Sequence, residues 1–267
     1  MSLLSSFCGT AALALSVALP LLPTIVLAQG GPKTQIENVV LVHGAWVDGS
    51  SWSRVIPLLE SKGLHVTTVQ IPLTSLNDDV ATTQRALALI DGPVILVGHS
   101  YGGVVITQAG NDPKVKALVF ISAFAPDAGE SALSILKAST VASPAGSEIL
   151  PDKAGFTRIS RKGIDEDFAE EMSPVEKAVL FSTQGPTSAP NALAAVVTEP
   201  AWKSKSSWTL ITAQDRVIPL AVQQSMAKKI GAQITTVSAS HLALLAHPQD
   251  IASVIEQAAR GAEQSKQ

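Results

Sequence analysis

The chain has 267 residues, 46% of them hydrophobic, and a formal net charge of −3, which suits one compact domain with a sizeable core. Its mildly acidic balance has no Lys/Arg blocks, which excludes the concentrated basic patch that a nucleic-acid partner requires. No C-x-x-C pair, H-E-x-x-H helix, EF-hand loop or Walker loop is present, so the sequence indicates no metal and no cofactor.

Residues 10–28 are uncharged and apolar and end in Val26-Leu27-Ala28, which has small residues at the positions a signal peptidase reads. Segment 1–28 therefore reads as a secretory signal peptide, which predicts an exported protein, periplasmic or secreted. An uncleaved N-terminal anchor is the alternative, because the run is long and its start carries no Lys or Arg; Pro20 and Pro23 count against a regular membrane helix. Cleavage would remove Cys8, the one cysteine, and leave a mature chain without disulfides or stable membrane insertion.

Residues 29–37 read as a flexible lead-in. The continuous apolar run 39–42 is a strand covered on both faces, as in a parallel sheet. Residues 52–59 have helical spacing closed by Gly63, 65–71 the next strand, and 78–90 a second helix ended by Asp91-Gly92-Pro93. A strand at 94–97, a helix to about Ala109 and a strand at 115–121 follow. This alternation predicts a mostly parallel α/β sheet with helices on both faces, its core formed by 38–126 and 207–260. Residues 127–206 are too long for a connection and read as a cap inserted over the strand C-termini. The acidic clusters within it, at 165–167 and 170–171, read as a solvated helix face. Strand 208–212, helix 219–230, strand 233–237 and a closing helix 248–260 complete the core, and 261–267 reads as a frayed tail.

The chemistry centres on Gly98-His99-Ser100-Tyr101-Gly102, a G-x-S-x-G turn between a buried strand and a helix, which is a nucleophile elbow. A serine hydroxyl needs a base and a group that fixes the base's tautomer. Asp215 and His241 each follow a predicted strand and come in the order Ser, acid, His. Asp127 is the rival acid, and a helix-capping role is the alternative for Asp215. The H-G turn at His43-Gly44 places the Ala45 N–H as one oxyanion donor, with the Tyr101 N–H as the other. His43 reads as a brace for that loop, His99 as a packing residue turned away from the Ser100 pocket, and His247 as a cap. Trp46, Phe124, Trp202 and Leu242 are the candidate pocket residues.

The stretches V-L-V-H-G-A-W, G-H-S-Y-G-G and L-V-F-I-S-A-F-A-P-D, with the Asp215 and His241 segments, resemble the α/β-hydrolase superfamily from about Val39 to Arg260. They are most similar to the branch of plant methylesterases and hydroxynitrile lyases and to bacterial hydrolases of that pattern. In that branch the lyases carry a lysine directly after the catalytic histidine. Leu242 stands there in this chain, so the resemblance implies ester hydrolysis. The expectation is a cofactor-free serine esterase acting on small, largely apolar esters through an acyl-enzyme, as a monomer or homodimer. A lyase or oxygenase on the same fold and a non-catalytic small-ligand receptor are the competing readings.

Overall fold

The structure, a computed structural model, describes residues 36–264. The signal-peptide reading lies outside the described residues, as does the lead-in before Ile36. Among the described residues no helix is long and apolar enough to cross a membrane.

The chain first forms β1 (Asn38–Val42), β2 (His65–Val69), β3 (Val94–His99) and β4 (Val115–Ile121). The inserted segment then supplies β5 (Ile149–Pro151), β6 (Phe156–Ile159) and β7 (Thr187–Ser188), and β8 (Ser206–Thr212) and β9 (Gln233–Val237) close the core. The main sheet has the order β2-β1-β3-β4-β8-β9, and every neighbouring pair is parallel. Composition sets these positions. The residues of β1, β3, β4 and β8 are almost wholly buried, whereas β2 and β9 each open on a polar residue and carry a Thr-Thr pair, and lie at the edges, partly in solvent. Each fully buried Leu or Ile of the central strands contributes about 1.5–3 kcal/mol.

The helices are α1 (Ile56–Glu60), α2 (Leu76–Ala88) and α3 (Gly102–Ala109), then α4 (Ala132–Ala138), α5 (Arg161–Gly163) and α6 (Pro174–Thr183) in the insertion. After it come α7 (Leu220–Lys229), α8 (Ala243–Ala246) and α9 (Pro248–Gln264). They pack on the sheet in two groups: α3 lies on β3 and against α2, while α9 lies on β4 and β8 and against α1. In α9 the buried residues Ile251, Val254, Ile255, Ala258 and Ala262 recur at three- and four-residue spacing, the apolar stripe of a surface helix.

Two terminal expectations are corrected. The helix expected to end at Arg260 continues to Gln264, because Ala262 is buried and the Glu263 carboxylate accepts the Ile36 N–H at 2.9 Å. That bond, with Ile36 only 3% exposed, also makes the last part of the expected lead-in a packed segment. The single helix expected at 52–59 is two pieces: a 3₁₀ turn at Gly49–Trp52, capped by the Asp48 carboxylate, and then α1, which starts at Pro57's turn.

The insertion builds its own layer. Strands β5, β6 and β7 make a small antiparallel sheet, and α5 runs into a π-helical turn at Ile164–Phe168. Helix α6 opens with a capping box in which Ser173 and Glu176 exchange side-chain-to-backbone bonds. The layer is pinned to the core through the indole of Trp46, which donates to Thr157 Oγ1 at 3.1 Å, and through Ser188, whose N–H donates to the Leu73 carbonyl at 2.9 Å.

Strand β1 has β2 on one side and β3 on the other, so the chain reverses its travel across the sheet there. Open parallel sheets bind ligands beyond the strand C-termini at such a switch point. The loops that leave β1, β3, β8 and β9 at this edge carry Ala45, Ser100, Asp215 and His241.

Candidate active site

Ser100 follows β3 directly and has φ = +51°, a left-handed conformation that costs energy in a non-glycine residue. Close packing holds it there. A Cβ on Gly98 would stand 2.5 Å from the Gly102 carbonyl oxygen, and one on Gly102 would stand 2.6 Å from that of Val42. Only hydrogen at both positions lets the start of α3 press against the ends of β1 and β3. The Ser100 N–H donates to the Ile121 carbonyl at 3.2 Å, and its own carbonyl accepts from Phe124 N–H at 3.1 Å, so the turn is also tied to β4 and the loop after it.

His241 is fully buried, and its Nε2 lies 2.9 Å from Ser100 Oγ. Its Nδ1 lies 2.8 Å from Asp215 Oδ2. Since a carboxylate only accepts, Nδ1 carries the proton and Nε2 is left as the acceptor for the serine hydroxyl. Asp215 also accepts on Oδ1 from the N–H groups of Val217 and Ile218, both at 2.8 Å, and on Oδ2 from Thr212 Oγ1 at 2.9 Å and Gln223 Nε2 at 3.0 Å. One oxygen thus caps the turn before α7 while the other faces the imidazole, so the cap and the bond to His241 are made by one carboxylate. Asp127 is elsewhere, paired with Lys203 at 2.6 Å, and that hydrogen bond holds its carboxyl below the usual range.

The loop after β1 is set by His43. Its Nε2 accepts the Ile71 N–H at 3.1 Å and its Nδ1 donates to the Gly44 carbonyl at 2.9 Å, the brace expected from the sequence. Burial holds this imidazole below its ordinary pKa. Trp46 has φ = +62° and its N–H donates to Thr187 Oγ1 at 3.2 Å. Among the described residues, neither the Ala45 nor the Tyr101 N–H donates to a turn, loop or cap carbonyl. Both residues line the same cavity as Ser100.

That cavity has a volume of about 550 Å³ and takes its walls from both layers: Trp46 and Phe124 of the core, and Leu133, Leu136, Ile149 and Leu193 of the insertion. Trp202 and Leu242, the other two expected pocket residues, do not line it. The Trp202 indole is held away by a 2.8 Å bond to the Pro126 carbonyl, and its ring faces Lys203. Leu242 is fully buried in the core, because the chain turns inward into α8 directly after His241.

His99 departs in part from a pure packing role. It is fully buried, its ring centroid stands 4.9 Å from that of His241, and its Nε2 donates to the His241 carbonyl at 3.0 Å. Burial, then the nearby His241, holds it well below its ordinary pKa, so it stays neutral and fastens the His241 backbone.

A model of the alpha/beta hydrolase family matches residues 39–254. The chain belongs to this family. It is 28% identical over 250 residues to salicylic acid-binding protein 2 of Nicotiana tabacum, covering 82% of this chain and 96% of the relative. It is 36% identical over 117 residues to a carbendazim hydrolyzing esterase of Nocardioides sp. (strain SG-4G), covering 38% of this chain and 48%, about half, of that relative. The crystal structure of a pyrethroid hydrolase from Sphingobium faniae JZ-2 has the same fold, with a TM-score of 0.74 at 23% identity over 84% of this chain and 98% of the other. Two of these three relatives of the alpha/beta hydrolase are named as an esterase and as a hydrolase, so ester hydrolysis is represented among them.

Several residues of this hydrolase site were not foreseen. Gln223, on α7, is buried against Asp215 and Thr212, and its one sequence signal is a polar residue inside the apolar stripe of a helix. Asp79 is fully buried beside the elbow and accepts from Tyr101 Oη and from the Leu73 N–H, both at 2.8 Å. Burial pushes its carboxyl up to about 6 against the pull of those two donors, and the same burial pushes the Tyr101 phenol up. The acidic clusters of the insertion are corrected in two members: Asp167 is buried, and the Glu171 side chain is partly covered. These two depart from a solvated face because their carboxylates are bonded to the loops that follow β8 and β9, whereas Glu166 stays exposed as expected.

Proposed function

We propose that this chain is a serine esterase that hydrolyses carboxylic esters of small, largely apolar substrates through an acyl-enzyme. Ser100 Oγ attacks the ester carbonyl while His241 Nε2 takes its proton, and Asp215 keeps the imidazole in the accepting tautomer and stabilises it once charged. The N–H groups of Ala45 and Tyr101 hold the oxyanion that forms, one from the loop after β1 and one from the start of α3. His241 returns the proton to the leaving alkoxide, and water then cleaves the acyl-enzyme by the same route in reverse. The reading needs no cofactor.

One observation carries it: the unbroken line from Asp215 Oδ2 through His241 to Ser100 Oγ, at 2.8 and 2.9 Å, opens onto an apolar cavity of about 550 Å³. The triad supplies acyl-transfer chemistry, and the cavity's apolar walls favour an uncharged acyl or alcohol group. The names of several relatives, an esterase and a hydrolase among them, support ester cleavage, although no single substrate is common to them. The test is turnover of 4-nitrophenyl esters over a range of acyl lengths. Hydrolysis is expected for short and medium acyl chains, with decline once the chain outgrows the cavity. No turnover at any length contradicts the reading.

A further inference from the structure

We infer that the acidic turn 167–171 of the insertion positions the triad, by gripping the residues next to Asp215 and His241 so that the imidazole stays within reach of Ser100. Asp167 Oδ1 accepts from Arg216 Nε at 2.6 Å, and Arg216 is the residue after Asp215. Glu171 Oε2 accepts from the Ser240 N–H at 2.6 Å, and Ser240 is the residue before His241. The other oxygen of Glu171 accepts from His247 Nε2 at 2.8 Å, at the far end of the same loop and α8. Between the two carboxylates lies Phe168, 1% exposed, with its ring centroid 5.4 Å from that of His241 and 6.2 Å from that of Trp46, which adjoins Ala45. Three residues of this five-residue stretch therefore touch His241 itself or the chain neighbours of the acid, the base and one oxyanion donor.

The physical case rests on which groups of the two triad segments the core leaves to the insertion. Asp215 is fixed by four bonds from the end of β8, its own turn and α7 besides the one to His241. The His241 segment begins where β9 ends at Val237; the core holds its carbonyls, through Gln214 N–H to Ala239 and His99 to His241, whereas the N–H just before the histidine is bonded to the insertion. A bond from N–H to carboxylate is of the stronger, charge-assisted kind, and at a partly buried site it is poorly screened. A displacement of about 1 Å in a reacting group costs up to about 100-fold in rate. The turn is also π-helical at Ile164–Phe168, a local widening often kept where side chains must be aimed. On this view the insertion is part of the catalytic scaffold as well as a wall of the cavity.

The inference rests on Ser100 acting as nucleophile, so wild-type labelling by an uncharged alkyl phosphonate accompanies the test. Glu171→Ala should lower kcat about tenfold or more on a 4-nitrophenyl ester while KM stays within about twofold. Glu171→Gln keeps an oxygen for the Ser240 N–H and should hold kcat within about threefold of wild type. That split distinguishes positioning from a general loss of packing, which rescue by Gln would not repair. Should Glu171→Ala fail to fold, Arg216→Met, altered at a half-exposed side chain, is read in its place: kcat falls at unchanged KM. Unchanged kcat in the variant read, a change in KM alone, or equal loss in Ala and Gln overturns the inference. Failure of wild-type Ser100 to take the label removes the esterase reading and the inference with it. Full labelling with unaltered variants removes the inference alone.

Discussion

Ser100→Ala is expected to cut kcat on 4-nitrophenyl esters by roughly 10⁴- to 10⁶-fold, to the residual level that binding and oxyanion donors alone support. Its fold should survive. The bonds that hold the turn are made by the Ser100 backbone, to Ile121 and from Phe124 and Gly103, and none uses the hydroxyl. Alanine also accepts the +51° φ at no greater steric cost than serine. A thermal melt close to that of wild type, measured beside the lost turnover, separates chemistry from stability. Retained turnover in a folded Ser100→Ala protein would place the nucleophile elsewhere.

Asp215→Asn should have the next largest effect, about 10⁴-fold in kcat, because the amide cannot serve both sides of the carboxylate it replaces. With its oxygen toward Val217 and Ile218, its NH₂ meets the donor Nε2 of Gln223 and the protonated Nδ1 of His241. His241 then moves its proton to Nε2 and can no longer accept from Ser100. With the amide reversed, the two backbone N–H groups face another donor and go unsatisfied in a buried turn, at about 1–3 kcal/mol. A lower melting temperature is therefore expected alongside the loss of rate. Unchanged kcat would show that His241 is oriented by something other than Asp215.

The sheet was legible because a strand buried on both faces needs an unbroken apolar run, and β1, β3 and β4 each have one. The elbow was legible for a related reason: the close approaches at Gly98 and Gly102 admit no side chain, so the geometry is written as glycine. Asp215 and His241 followed from their places after strands. What stayed hidden is whatever depends on the insertion. The strands β5, β6 and β7 are two to four residues long and show no alternation to read. Without knowing where that layer sits, Asp167 and Glu171 look like any charged helix face, although in three dimensions they meet Arg216 and Ser240. Trp202 and Leu242 failed as pocket residues on the same ground. Apolar character alone does not say which wall a side chain joins, and one turns to the Pro126 carbonyl while the other enters the core.

The His43 brace shows the reverse case, a polar residue whose structural role was readable. It comes too early in the chain to serve as the base, and its two ring nitrogens are consumed by the Ile71 N–H and the Gly44 carbonyl. His241 differs in having one nitrogen directed at Ser100 and the other at a carboxylate with no exposed side-chain surface. Partner chemistry thus sorts the histidines where burial does not.

The central claim is that the Ser100 hydroxyl is made reactive by His241, and covalent trapping tests it most directly. The protein is incubated with an uncharged alkyl fluorophosphonate, digested, and the adduct located by peptide mass. A single adduct per chain, on the peptide that contains Ser100 and absent from His241→Ala, is the predicted result. No adduct, or an adduct on another residue with Ser100 unmodified, would contradict it.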